Sequence, residues 1–165
     1  MDMKRKGAAS IIMHIVFFVG SILLIAIDQF VKIWARSHLQ PIASRTVIEG
    51  FFALTYVEND GMAFGLLSGY RWIFISLTVL IMVFVIYLYL KIPKDKIFLW
   101  IKIPMLFIFS GSIGNMIDRF LFGYVVDMFQ FKFINFPVFN CADSFLVLGA
   151  IALAVSMLFI VKEPI

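Results

Sequence analysis

Asp127 and Asp143 are the side chains of this sequence best placed to do chemistry. Each stands beside an apolar run long enough to cross a bilayer, in the stretch GSIGNMIDRFLFGYVVD and the later FNCADS. A carboxylate so close to hydrocarbon is costly and marks a functional position by default. Two of them at one depth suit general acid–base chemistry on water. One takes a proton from water, and the other gives a proton to the carbonyl oxygen or the leaving amine. Neighbouring carboxylates do not both ionise easily, so one proton is shared.

The residues around them divide between structure and function. Asn140 fits the N-cap of a following helix, with Asp143 in its first turn, where both types satisfy orphan N–H groups and the helix dipole. Capping alone explains these two positions. It also favours an ionised Asp143, the charged member of an unequal pair. Asp127 follows two valines and has no capping role. Asn115, Asp118 and Arg119 lie at i, i+3 and i+4, on one helix face, and Gly111 and Gly114 continue that face inward for close helix approach. A polar-ended packing seam with an Asp118–Arg119 ion pair is the plain alternative. Asp28 and Lys32 are spaced i, i+4. They read equally as an ordinary helix salt bridge or as a clamp aligning the first helix with the site. Asn59 opens NDGMAFG, a turn that is either a plain loop or a carrier of Asn59 toward the aspartates.

Four apolar runs must position these groups. In a chain of 165 residues, 63% hydrophobic and 15% charged, they cover about 11–27, 72–90, 97–117 and 145–161. Each falls within the ~17–25 residues that a spanning helix needs. Lys102, near the start of the third, can snorkel to the interface and does not veto that span. The first run precedes Asp28 and Lys32 rather than a small-residue cleavage site, so it is read as a span and not as a cleaved leader. The expected fold is a single integral-membrane domain over 1–165: four transmembrane helices with a small extracytoplasmic β-sheet and a short surface helix.

Lysines and arginines orient it. Lys4, Arg5 and Lys6, then Lys91, Lys94 and Lys96, then Lys162 belong on the cytoplasmic side. The other two connections carry no positive excess. Both termini are therefore expected inside and the aspartates near the outer leaflet. The net charge of +4 follows from topology, and no basic stripe suggests nucleic acid. In the external segments, Thr46–Glu58 reads as strand from its β-branched and aromatic residues. Met128–Phe136 alternates with strand period, Phe129, Phe131 and Phe133 against Gln130 and Lys132.

Other chemistries find little support. Cys141 is the single cysteine and reads as a small packed residue. His14 and His38 form no metal-ligand pattern, and no phosphate-cradling glycine loop appears. No metal or organic cofactor is expected.

The chain resembles the lipoprotein signal peptidases (signal peptidase II), four-span bacterial aspartic peptidases. DQFVK (28–32), ENDGMAFG (58–65), GNMIDR (114–119), VVD (125–127) and FNCADS (139–144) occur in the family's order along nearly the whole chain. The resemblance implies that Asp127 and Asp143 are the catalytic dyad. It implies that Asn59, Asn115, Arg119 and Asn140 support the site or hold substrate, and that Asp28, Lys32 and Asp118 are structural. Met62 departs from the alanine frequent in the family. The implied reaction removes the signal peptide from diacylglyceryl-modified prolipoproteins, cutting before the lipidated cysteine, in the bacterial cytoplasmic (inner) membrane. Prolipoproteins and membrane lipids are the expected partners, and a monomer is expected. The rival reading is a proton- or ion-coupled transporter using the same carboxylates, which would prefer charges near mid-bilayer and broken helices.

Overall fold

The computed structural model describes residues 2–61, 70–92 and 99–160, with side chains from residue 11. Four helices among them are long and apolar enough to cross a membrane. They are α1 (Asp2–His38), α2 (Arg71–Lys91), α3 (Leu99–Leu121) and α4 (Cys141–Val155), the last continuing as a π-helical turn over Ser156–Ile160. A 3-10 turn, Gln40–Ile42, leads from α1 into β1 (Ser44–Ile48), and β2 (Phe52–Asn59) follows. Strand β3 (Val125–Phe131) joins α3 to α4. That 3-10 turn is the one short helix outside the spans among the described residues; the Met62–Gly65 part of NDGMAFG lies outside them.

Helix α1 runs well past the Ile27 end expected from hydropathy. Its 37 residues measure about 55 Å at 1.5 Å per residue. Asp28 and Lys32 do not end it, because both find partners on other helices. Helix α3 is central, packing on α1, α2 and α4. Its glycines permit this closeness. A Cβ on Gly114 would lie 2.6 Å from Asp28 Oδ2 and 3.1 Å from the Ala142 side chain.

One core fills the end of the bundle near the α2–α3 connection. Phe17, Tyr89, Ile101, Met105 and Leu106 pack there. Lys102 lies at this end of the bundle, near the start of α3. It is buried, with its ammonium 5.2 Å from the centre of the Tyr89 ring, a cation–π arrangement. A second core, Ala35, Leu39, Val126 and Met128, joins the far end of α1 to the sheet. Large apolar side chains such as Ile22, Leu80 and Leu158 remain outside both cores, as a bilayer-facing surface requires.

The sheet is antiparallel in the order β1-β2-β3. The single strand expected over Thr46–Glu58 is instead a hairpin. Gly50 adopts a φ of 66°, and Phe51 N–H donates to the Ile48 carbonyl at 3.1 Å. That left-handed residue turns the chain where β-rich composition alone suggests continuation. The strand expected over Met128–Phe136 starts earlier and ends at Phe131, so Asp127 lies inside it, opposite Val57. The chain then folds back, and Phe139 pairs with Phe129.

Candidate active site

Three elements bring the aspartates together. Strand β3 carries Asp127, the first turn of α4 carries Asp143, and the outer part of α3 supplies Asn115. Asn140 joins them. As N-cap of α4 it accepts the Asp143 N–H at 2.9 Å, while Asp143 Oδ2 accepts the Asn140 N–H at 3.1 Å, a reciprocal capping box. Its side-chain amide donates to Asp127 Oδ1 at 2.6 Å and to Asn115 Oδ1 at 3.1 Å. Asn115 in turn donates to Asp143 Oδ1 at 2.7 Å. Asn59, at the end of β2, donates to Asp127 Oδ2 at 2.9 Å and accepts the Gly61 N–H at 3.1 Å. Every oxygen of both carboxylates thus accepts a hydrogen bond from an asparagine.

Behind this ring lies a buried charge cluster. Lys32 Nζ is 2.9 Å from Asp28 Oδ2 and 3.6 Å from Asp118 Oδ2, and it donates to Asn115 Oδ1 at 3.0 Å. Asp28 Oδ1 accepts the Ala142 N–H at 2.9 Å, at the start of α4. Asp118 Oδ2 accepts the Val126 N–H at 3.0 Å, one residue before Asp127. The contacts therefore run from α1 to α3, to α4 and to β3. Asp28, Lys32 and Asp118 are all 0% exposed, so each charge depends on its partners.

Two members escape the sequence reading. Gln29 donates to Asp28 Oδ2, to the Gly114 carbonyl and to Asp118 Oδ1 at 3.1–3.3 Å. Arg36 Nη2 lies 3.2 Å from Asp118 Oδ1, its guanidinium 3.9 Å from the centre of the Phe122 ring. The i, i+4, i+8 spacing of Asp28, Lys32 and Arg36 is a signal that could have revealed Arg36. The Asp118–Arg119 ion pair considered from sequence does not form. Asp118 pairs with α1 instead, and Arg119 donates to the Gly61 carbonyl at 3.2 Å with its guanidinium over Phe74.

The two aspartates sit in different electrostatic surroundings. Asp127 is 2% exposed. Burial, then the nearby charge of Asp143, pushes its carboxyl up to about 7, against the opposing hydrogen bonds of Asn59 and Asn140 and the field of Lys32. Asp143 sits at a helix N-terminus, where partial positive charge favours the ionised form. A carboxyl poised near neutrality beside a second carboxylate is the arrangement acid–base catalysis uses.

A family model described as signal peptidase (SPase) II matches residues 20–159. The chain belongs to the signal peptidase II family. It is 47% identical over 137 residues to the lipoprotein signal peptidase of Caldanaerobacter subterraneus subsp. tengcongensis, covering 82% of this chain and 91% of that one. It is 40% identical over 141 residues to the lipoprotein signal peptidase of Streptococcus pyogenes serotype M6, covering 86% and 91%. Its fold is similar to that of a bacterial membrane enzyme solved by the in meso method at 2.3 Å resolution, with a TM-score of 0.78, 28% identity and coverage of 91% and 94%. A second such structure, at 1.9 Å, gives a TM-score of 0.78 and 30% identity over 87% and 93%. Family membership makes the chain a membrane peptidase and agrees with the resemblance carried by the five sequence pieces.

Proposed function

We propose that this chain is an aspartic endopeptidase that removes the signal peptide from diacylglyceryl-modified prolipoproteins, cutting before the lipidated cysteine. The observation that carries this reading is the asparagine ring holding Asp127 and Asp143 together, with Asp127 poised near neutrality.

The chemistry follows from the inequality of the pair. Asp143 begins as carboxylate and Asp127 holds the proton. Asp143 removes a proton from a water positioned between them. The water oxygen attacks the scissile carbonyl carbon while Asp127 protonates the carbonyl oxygen, giving a neutral gem-diol. Asp143 then passes its proton to the amide nitrogen. The C–N bond breaks, and a diol hydroxyl returns its proton to Asp127. Both aspartates end as they began. Asn59, Asn115 and Asn140 hold the carboxylates through these steps, and Arg119 ties the Gly61 turn against the site. Asp28, Lys32 and Asp118 fix the elements that carry them.

In the membrane, the positive flanks support a topology with both termini in the cytoplasm and the site near the outer leaflet. The signal helix stays in the bilayer while its lipidated end reaches the aspartates laterally, and a monomer suffices. A transporter would need a polar path through the bundle. The apolar core of Phe17, Met105 and Leu106 closes the half away from the aspartates, which counts against one.

The test is cleavage of a diacylglyceryl-modified prolipoprotein peptide by the purified protein, with the products weighed by mass spectrometry. A product beginning at the lipidated cysteine supports the reading. Intact peptide with well-folded enzyme, together with proton flux in reconstituted vesicles, would replace it with the transporter.

A further inference from the structure

Two apolar clefts lie along α4. The first, about 400 Å³, lies between Phe131, Phe136 and Phe139 and the start of α4, with Asp143 in its wall. The second, about 310 Å³, lies deeper, between Trp100, Pro104 and Phe107 of α3 and the later turns of α4. Leu148 lines both. The α4 residues on the path, Ser144, Leu148, Ala152 and Ser156, are spaced i+4 and form one stripe. Along the helix it measures about 18 Å at 1.5 Å per residue.

The slot suits an apolar occupant. The hydroxyls that line it are already satisfied: Ser144 donates to the Asn140 carbonyl at 3.0 Å and Ser156 to the Ala152 carbonyl at 2.7 Å. Both oxygens of Asp143 accept hydrogen bonds from the asparagine ring. The clefts are too small to enclose a peptide helix, which is ~10–12 Å across with its side chains. An extended alkyl chain fits their shape, and the upper end opens where the reacting bond would lie.

We propose that this α3/α4 slot takes one fatty acyl chain of the diacylglyceryl group and acts as the gauge that sets the scissile bond against Asp127 and Asp143. The inference rests on the peptidase reading above. Lipid tails are as apolar as the slot, so the gain is not simple burial. It is positioning: a chain seated along α4 fixes the attached cysteine, and small misplacements at a reacting centre are expensive. Ala152 sets the depth. It lines the second cleft, about 14 Å along α4 from Asp143 at 1.5 Å per residue, and takes no part in the asparagine ring.

The experiment compares lipopeptides of one sequence carrying two eight-carbon or two sixteen-carbon chains, using the full chain in bicelles. The wild type is expected to cleave the long-chain peptide with the higher kcat/KM. Ala152→Trp fills the lower cleft and should lower kcat/KM for the long-chain peptide about tenfold while leaving the short-chain value near that of wild type. Normal short-chain cleavage also shows that the variant folds. Ile151→Trp, on the exposed side of the same turn, should change neither. Equal loss on both peptides with Ala152→Trp would overturn the inference, pointing to the signal helix or to damage of the bundle. So would a wild type indifferent to chain length. Failure of the wild type to cleave either peptide would instead refute the peptidase reading itself.

Discussion

The side-chain amide of Asn140 stands 2.6 Å from Asp127 Oδ1, so the residue that caps α4 also grips the carboxylate on β3. One side chain thereby couples a helix terminus to a strand, and fixes Asp143 relative to Asp127.

Replacing Asn140 should therefore damage both functions at once. Asn140→Ala removes the N-cap, expected to cost about 1–2 kcal/mol of stability. It also removes the donor to Asp127, and kcat should fall by about 10²-fold, the scale of losing one positioned donor. Asn140→Ser restores capping alone. Thermal unfolding in detergent should recover with Ser while kcat stays low. Recovery of both would mean that Asn140 acts only as a cap.

Asp127 makes activity and stability depend on pH in a defined direction. Its carboxyl, raised to about 7, holds the proton that the scissile carbonyl receives. The kcat/KM profile should lose activity on its alkaline side near pH 7. For stability, a raised acid favours the folded state most at pH values below its unfolded pKa. That contribution, up to about 4 kcal/mol, disappears as pH climbs from about 4 to about 7. Asp127→Asn should flatten the fall across this window in pH-dependent unfolding. An unchanged slope would show that Asp127 ionises normally in the folded protein.

Lys32 is the cation that buried Asp28 and Asp118 share. Lys32→Met leaves Asp28 without its 2.9 Å partner and removes the donor to Asn115. Breaking a buried pair by removing one member costs about 3–5 kcal/mol. The melting temperature should drop sharply. Lys32→Met combined with Asp28→Asn should recover part of the loss, because fewer buried charges are then left unpaired.

Gly114 marks a close approach of α3 to both α1 and α4. An added Cβ would meet Asp28 Oδ2 at 2.6 Å and push away the carboxylate whose Oδ1 accepts the Ala142 N–H. Gly114→Ala is expected to destabilise by about 1–3 kcal/mol, as overpacking does, measured by the same melts. A neutral result would mean that the Asp28 to α4 contact can shift freely.

What sequence reveals here depends on range. The four spans are legible because length and apolar content suffice. The pairing of Asn140 with Asp143 is legible because a capping box is local, with both partners inside four residues. Asp28 and Lys32 are visible as an i, i+4 pair, yet their ties to Asp118, Asn115 and Ala142 cross the fold and leave no local trace. Gln29 and Arg36 are missed for the same reason. The hairpin at Gly50 is missed because Val, Ile and Phe on either side outweigh one glycine. The contact of Lys102 with the Tyr89 ring joins α3 to α2 and likewise leaves no local trace.

The most direct test of the account is the cleavage rate of Asp127→Asn and Asp143→Asn beside the wild type, on one diacylglyceryl-modified prolipoprotein peptide, with folding checked by thermal unfolding. The account predicts that both folded variants lose cleavage by at least about 10³-fold, since neither carboxylate can perform both proton transfers alone. Robust cleavage by either variant would remove that aspartate from the chemistry and contradict the shared-proton mechanism.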